Sequence, residues 1–364
     1  MTTADHAGDR GEREPIGSVV IVRALALGDM LCAIPAIRAL RGLYPAAKIT
    51  LVGLPWAHEL PARYPRYLDE HLEFPGFPGI AEVREDPART VDFMRRMQDR
   101  RSDLAVQLQG DGSWMNAFVA LLGARTTVGF HPPAWSSATA GATWIPYPNH
   151  GSEVRRLLAL PAALGARVDE RLEFPILDAD RAALRAVLPT PLDDRPVAVI
   201  HPGASTELRR WPADRFAAIG DALTARGLRV MLTGSAAEVD VTARVGAAMQ
   251  GRAIDLAGRT SLGALGAAVE RATIIVTNDT GMSHLAAAVG RPSVVVFNGS
   301  DRDRWAPLDS CLHAGVEGAA PDRPASVAEV ADAVHQQLER YPPSRPVPVS
   351  AVLHSRPHGD DREE

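Results

Sequence analysis

Four stretches of this chain place acids, hydroxyls and arginines where strands give way to helices, and these residues are the ones able to do chemistry. The richest runs from Thr273 to Asp301, TIIVTNDTGMSHLAAAVGRPSVVVFNGSD. It reads as a buried strand (273–277), a sharp turn (278–281), a small-residue helix (282–289) and, after Arg291-Pro292, a second buried strand (293–297). Asp279, Thr280 and Gly281 fall where the first strand meets the amino end of the helix, with Met282, Ser283 and His284 in its first turn. The unpaired amides and partial positive charge of a helix amino end bind phosphate. An Asp or Thr at the same place is also what a plain N-cap needs.

The second stretch, His201-Pro-Gly-Ala-Ser-Thr-Glu-Leu-Arg-Arg-Trp-Pro (201–212), leaves a strand through small residues and delivers Ser205, Thr206, Arg209 and Arg210 before a helix. Hydroxyls, amides and guanidinium together make a diphosphate clamp, since Arg donates charge-assisted and often bidentate bonds. A solvated loop would use the same residues, and recurrence beside the 279–284 turn favours the clamp. Third, Thr233-Gly-Ser-Ala-Ala-Glu (233–238) puts Gly234 just after a strand, where a flat group such as a nucleobase can approach the backbone. Glu238 there can accept from a ribose hydroxyl or serve as a first-turn helix acid. In the first half, Asp29 closes the loop Ala24–Asp29 between a strand and a helix. A carboxylate so placed can take a proton from a substrate hydroxyl, or simply cap the helix.

The elements that must position these groups alternate along the chain. Strands are expected at 18–23, 48–52, 104–108 and 126–129, and helices at 30–43 (with Pro35 near its first turn), 114–122 after the turn 109–112, and 153–164 ending at Gly165. A second series has strands at 197–201, 229–233 and 254–255, helices at 214–226, 237–249 and 261–271, the 273–297 segment, and a last helix at 326–341. Unalternating Ile and Val runs suit parallel sheets covered on both faces. The reading is α/β, with two doubly wound domains at 16–176 and 196–341, a linker at 177–195 containing Pro189 and Pro191, and disordered tails at 1–15 and 342–364. Ligands of such sheets lie outside the carboxyl ends of the strands, so the cleft between the halves is the expected site.

Composition narrows the classes. The chain has 364 residues, 46% hydrophobic and 23% charged, a length that suits two domains. A net charge of −5 gives no basic field for nucleic acid, and Lys48 is the only lysine among many arginines. Two cysteines, Cys32 and Cys311, make neither a disulfide framework nor a metal-ligand spacing. The polar amino-terminal stretch is unlike a signal peptide, and no apolar run is long enough to span a bilayer, so the expected location is cytoplasmic and any membrane contact peripheral. The dinucleotide, P-loop and nucleophile-elbow glycine motifs are all missing, which argues against a dehydrogenase, a P-loop NTPase and an α/β hydrolase.

Taken together, the motifs resemble glycosyltransferase family 9, the ADP-heptose:lipopolysaccharide heptosyltransferases. The pieces are Arg23-Ala-Leu-Ala-Leu-Gly-Asp-Met with Pro35 and Arg38-Ala-Leu-Arg-Gly-Leu-Tyr-Pro, DLAVQLQG (103–110), Val128-Gly-Phe, His201-Pro-Gly-Ala, Arg210-Trp-Pro with Phe216, Thr233-Gly-Ser, and Asn278-Asp-Thr-Gly-Met-Ser-His-Leu-Ala. They run in order from about residue 18 to residue 309. The resemblance implies a GT-B fold, two Rossmann-like domains facing a central cleft, with the acceptor on the first and the nucleotide-sugar donor on the second. It implies inverting transfer with no metal and no cofactor, the ADP-sugar being a co-substrate. It makes Asp29 the general base and Arg209, two places before Trp-Pro, a donor-phosphate contact, leaving Arg210 to solvent. It carries donor contacts onto Asp279, Thr280, Gly281, Met282 and His284. These join Ser205, Thr206, Gly234 and Glu238 from the loop readings.

The expected partners are therefore a nucleotide-sugar donor and a hydroxyl of a lipopolysaccharide core, glycolipid, other glycan or small metabolite, acted on by a monomer in the cytoplasm or peripherally at the inner membrane. Arg63 and Arg66 are assigned to acceptor phosphates, in a region (55–78) that also holds Asp69, Glu70 and Glu73. Two rivals share the fold. A nucleotide-sugar 2-epimerase would carry its acid–base carboxylates in the donor domain, and a non-catalytic nucleotide-sugar-binding protein would have no use for Asp29.

Overall fold

The computed structural model describes residues 15–132, 142–319 and 323–342, and apart from residues 15 and 342 both expected tails lie outside them. The chain divides into two compact units, Met1–Pro175 with Asp303–Ala306 and Ile176–Arg302 with Pro307–Glu364.

In the first unit the chain runs β1 (Ser18–Val22), α1 (Leu27–Leu43), β2 (Lys48–Gly53), a 3-10 turn (Pro55–Glu59), α2 (Leu60–Arg63), β3 (Glu70–Glu73), α3 (Pro87–Arg100), β4 (Leu104–Gln107), α4 (Met115–Leu121), β5 (Thr126–His131), β6 (Ala142–Pro146) and α5 (Glu153–Ala163). All pairings are parallel, in the order β3-β2-β1-β4-β5-β6. Helix α1 begins earlier than expected, so Gly28 and Asp29 belong to its first turn, and Pro35 lies inside the helix rather than near its start. A mid-helix proline costs about 3 kcal/mol in an exposed helix. Pro35 lies in the stretch of α1 that is mostly buried, from Met30 to Leu40.

The second unit contains α6 (Asp178–Val187), β7 (Val197–His201), α7 (Ala213–Ala225), β8 (Arg229–Leu232), α8 (Val239–Ala248), β9 (Ala253–Asp255), α9 (Leu262–Arg271), β10 (Ala272–Asn278), α10 (Gly281–Val289), β11 (Ser293–Phe297), α11 (Arg302–Trp305, most of which groups with the first unit), β12 (His313–Glu317) and α12 (Val327–Arg340). Its sheet is also parallel throughout, ordered β12-β11-β10-β7-β8-β9. The segment expected as a linker, 177–195, instead carries helix α6. Its start is fixed where the Leu177 amide donates to Asp180 Oδ2 (2.8 Å), and it packs on α9, where Arg181 binds Glu270 through Nε and Nη2 at 2.7 and 2.6 Å.

Both sheets therefore follow one plan. Three strands grow outward on one side, the chain returns to the middle, and three grow on the other. The reversal falls between β1 and β4 in the first unit and between β7 and β10 in the second. Loops leaving those two central strands diverge to opposite faces, opening a crevice at their carboxyl ends.

The core of the first unit centres on Phe118, fully buried, with the rings of Phe74, Phe77 and Phe93 at 5.0, 5.3 and 6.0 Å. In the second unit Trp211 meets Phe216 edge-on at 5.0 Å and donates its indole N–H to the Ala325 carbonyl (2.7 Å), satisfying the one polar atom it buries. Phe118→Ala is expected to destabilise the first unit by about 3–5 kcal/mol, because three rings lose their common partner and the site cannot collapse around an alanine. Urea unfolding followed by circular dichroism checks this, and a loss under about 1 kcal/mol would mean the cluster repacks.

Candidate functional site

The first unit puts a carboxylate at its strand-order reversal. Asp29 stands in the first turn of α1, directly after β1, with its side chain 29% exposed. Behind it lies Arg23, fully buried. Its Nε donates to the Asp29 carbonyl (2.9 Å), its Nη1 donates to the Leu108 carbonyl, and its Nη2 stands 3.9 Å from Asp29 Oδ1 and 3.5 Å from Glu153 Oε1. A buried guanidinium must be neutralised or it costs several kcal/mol. Glu153, 2% exposed at the start of α5, meets that need and is itself bound by Arg304 Nε (2.9 Å) and the Tyr147 hydroxyl (3.0 Å). Burial alone would raise the pKa of Glu153, but Arg23, Arg304 and Tyr147 outweigh it and hold the carboxyl below its ordinary value. Tyr147, buried and facing that carboxylate, is pushed up to about 12.

The second unit builds its reversal around Asn278, the last residue of β10 and fully buried. Its amide nitrogen donates to the carbonyls of Pro202 (2.9 Å) and Gly203 (3.1 Å), and its Oδ1 accepts the Trp211 amide (2.9 Å). The whole 201–212 loop thus hangs on one side chain from the neighbouring strand. Asn298 adds a second anchor, donating to the carbonyls of Leu208 (2.9 Å) and Arg210 (3.3 Å). So fixed, the loop directs Arg209 Nη2 onto Asp279 Oδ2 at 2.8 Å, with the arginine 31% and the aspartate 3% exposed. The next helix, α10, is capped by Thr280, whose Oγ1 accepts the Met282 amide (3.3 Å) while Ser283 Oγ donates to the Thr280 carbonyl (2.7 Å).

Beside this loop Glu238 closes a short turn, accepting the Ser235 amide at 2.7 Å. Its carboxylate lies where a side chain at Gly203 would go, so the two loops can approach only because residue 203 is glycine. Burial would raise Glu238, but His201 and the Ser235 amide lower it further, whereas burial depresses His201 despite Glu238. The pair rests as a carboxylate beside a neutral imidazole, which donates to or accepts from Thr233 Oγ1 at 3.1 Å.

The model of glycosyltransferase family 9 (heptosyltransferase) matches residues 90–324, more than half of the chain. The chain belongs to glycosyltransferase family 9. Among solved structures, a glycosyl transferase of family 9 from Veillonella parvula is 19% identical with a TM-score of 0.77, covering 90% of this chain and 99% of its own. The ADP-heptose lipopolysaccharide heptosyltransferase II of E. coli is 21% identical at a TM-score of 0.73 (89% and 99% covered). E. coli heptosyltransferase WaaC with ADP is 20% identical at 0.67 (89% and 99% covered). These likenesses establish the GT-B fold, and the family makes the protein a glycosyltransferase. Among curated proteins no sequence match is found.

The family's motif residues fall into distinct positions. Asp29, Arg209, Asp279, Thr280 and Gly281 stand at the two reversals, and Ser205 and Thr206 are exposed on the 201–212 loop. Met282 and His284 are buried behind the turn at 3% and 5% exposure, supporting it from within. Gly234 is buried, and a β-carbon there would lie 3.2–3.4 Å from Glu238, Thr242 and Ala257, a tight fit. Two expectations are corrected. Arg63 is not an acceptor ligand: it is 4% exposed, donates to the Pro175 carbonyl (2.7 Å), pairs with Glu59 (3.2 Å) and lies over the Phe174 ring (4.2 Å). Only Arg66 of that pair is exposed. Arg210 does not face solvent freely either, since its Nε and Nη2 both donate to the Ala204 carbonyl (3.2 and 3.1 Å) and brace the loop. Among the described residues no group of three or more His, Cys, Asp or Glu could hold a metal ion, and no helix is long and apolar enough to cross a membrane.

Behind the 279–284 turn, His313 at the start of β12 is buried against Ser293 Oγ (2.8 Å). Burial, with His284 adding to it against Asp309, pushes its pKa from 6.5 down to about 4. Below pH 6.5 the unfolded chain takes up a proton that the folded unit refuses, so this group's contribution is full above 6.5 and is lost as pH falls toward 4. The loss is on the order of 3 kcal/mol. His313→Gln, which keeps a hydrogen-bonding group but does not titrate, is expected to flatten the fall in unfolding free energy between pH 7 and 4.5. An unchanged slope in urea titrations would remove His313 as its source.

Proposed function

We propose that this protein is an inverting heptosyltransferase, moving a heptose from ADP-heptose to a hydroxyl of a lipopolysaccharide core or related glycan. The observation that carries the reading is Asp29, a partly exposed carboxylate held at its backbone by a buried arginine whose charge Glu153 shares. Asp29 takes the acceptor hydroxyl's proton as that oxygen attacks the anomeric carbon from the face opposite the diphosphate. The bond to the departing phosphate breaks, configuration inverts, and ADP leaves with the negative charge. Arg209 and the amides of the 280–282 turn stabilise that charge, so no divalent ion is required. The base and sugar of the donor are taken from the E. coli relatives, an ADP-heptose heptosyltransferase and WaaC bound to ADP, and the protein works as a cytoplasmic monomer or peripherally at the inner membrane.

The test measures ADP release from ADP-heptose with core oligosaccharide as acceptor, in excess EDTA. Wild-type turnover is expected to persist, and Asp29→Asn to lose it while binding ADP within a few fold of wild type. Near-normal turnover in the Asn variant would remove the general base, and turnover restored only by Mg²⁺ would remove the arginine-and-amide account. A second measurement concerns the leaving group. Arg209→Ala is expected to weaken ADP binding by about 1.5–3 kcal/mol, roughly ten- to a hundredfold, and to lower fold stability because it leaves the buried Asp279 carboxylate without its cation. Arg210→Ala, which frees only the Ala204 carbonyl and leaves no buried carboxylate unpaired, is expected to change affinity and stability less. Calorimetry and thermal melts on both variants separate the two, and equal profiles would mean that neither arginine has the role given it.

A further inference from the structure

Trp114 is the only aromatic among the exposed large apolar side chains of the described residues, at 63% exposure. It ends the loop that leaves β4 and stands just ahead of α4. A lone exposed apolar side chain is ordinary, but this one is built into place. Gly79, at φ +82°, packs over its ring so closely that a β-carbon there would lie 2.5 Å from Cδ2 and Cε3. One part of the indole is therefore seated on backbone while the rest stays open. Gly112, also at φ +82°, turns the loop where a β-carbon would come within 2.5 Å of the Phe130 carbonyl, and the Ser113 amide donates to Asp111 Oδ1 at 2.9 Å. The loop is also bound to the one that bears Asp29: Arg23 donates to the Leu108 carbonyl, and the Ala24 amide donates to Gln109 Oε1 at 2.7 Å. Asp29 and Trp114 thus leave the two strands, β1 and β4, that flank the reversal of the sheet.

We infer that Trp114 is a stacking platform for a sugar ring of the acceptor, with Asp111 and Ser113 positioned to bind hydroxyls at its edge. A pyranose presents an apolar C–H face and a rim of hydroxyls, and a rigid indole beside a carboxylate and a hydroxyl matches both. The inference rests on the reading that the first unit takes a carbohydrate acceptor, and it assigns one of that acceptor's rings to the loop after β4.

The experiment measures binding rather than turnover, so its outcome does not depend on whether Asp29→Asn stops transfer. Lipid-free core oligosaccharide, released from lipopolysaccharide by mild acid, is titrated into the full chain and into Trp114→Ala, Trp114→Gln and Trp114→Phe by calorimetry and saturation-transfer NMR. The wild type is expected to bind, the Ala and Gln variants to bind about tenfold more weakly, and Phe to stay within about threefold. ADP affinity and melting temperature should be unchanged in all of them. The inference is overturned if the wild type shows no sugar binding, or if Ala and Gln bind as well as wild type. It is equally overturned if the substitutions remove only binding to phosphatidylglycerol vesicles, which would make Trp114 a contact for a lipid surface.

Discussion

Each unit turns on a single buried polar side chain at the end of a central strand. A parallel sheet covered on both faces satisfies its own backbone, but the chain leaving its carboxyl edge has no such ladder, and its carbonyls and amides must find partners or pay for burial. Arg23, one residue past β1, meets this by taking the carbonyls of Leu108 and Asp29, so the loops after β1 and β4 become one body. Asn278, at the end of β10, does the same by taking the carbonyls of Pro202 and Gly203 and the amide of Trp211, so the loop after β7 is held by the strand beside it. In both cases the tie crosses the reversal of strand order, the place where neighbouring loops diverge and a ligand can enter.

The choice of side chain has electrostatic consequences. Asn278 is neutral, and its amide is fully used by backbone groups, so it adds no charge to the turn where Arg209 and Asp279 meet. Arg23 is charged and brings with it Glu153, Tyr147 and Arg304. The first unit therefore buries a network of two guanidiniums, a carboxylate and a phenol to hold one aspartate at its edge. Such networks are stable only when every member is partnered, and removing one leaves a buried charge exposed to the full desolvation cost. Replacing Arg23 by an apolar residue would leave Glu153 with Arg304 and the Tyr147 hydroxyl but without its fully buried cation, and the Leu108 carbonyl without its donor.

Much of this was legible in the sequence because it is local. A strand of buried aliphatics, a small-residue turn and a helix start are consecutive residues, so the 273–297 segment and the loop at 201–212 were placed within a residue or two, and the end of the loop at 24–29 within three. What escaped has physical reasons. The strands β3, β6 and β12 are sheet edges, half exposed, and EHLE, ATWIP and HAGVE carry no continuous apolar run. Helix α3 has only Phe93, Met94 and Met97 buried in a highly charged stretch, though Asp86 capping the Arg89 amide ahead of Pro87 was a readable start. Arg63 looked like a ligand because arginine beside prolines reads as a surface loop, and nothing local announces that Phe174 and Pro175 close over it. Glu153, Tyr147 and Arg304 lie more than a hundred residues from Arg23. The one hint was a charged residue ending an otherwise aliphatic strand, SVVIVR.

In the proposed reaction each unit supplies a different charge. A proton leaving a hydroxyl needs a carboxylate whose neighbouring cation does not claim it as a close partner. Asp29 has this, since Arg23 grips its carbonyl at 2.9 Å while standing 3.9 Å from its carboxylate and 3.5 Å from Glu153. A departing diphosphate needs a cation that is held in place yet can turn toward new charge. Arg209 fits, because a single nitrogen is tied to Asp279 and its side chain remains partly exposed, whereas Arg210, with two bonds to one carbonyl, does not. In both places the proposed functional side chain stays partly exposed while neighbouring contacts hold the scaffold. That arrangement leaves the chemistry free to exchange partners without loosening the fold.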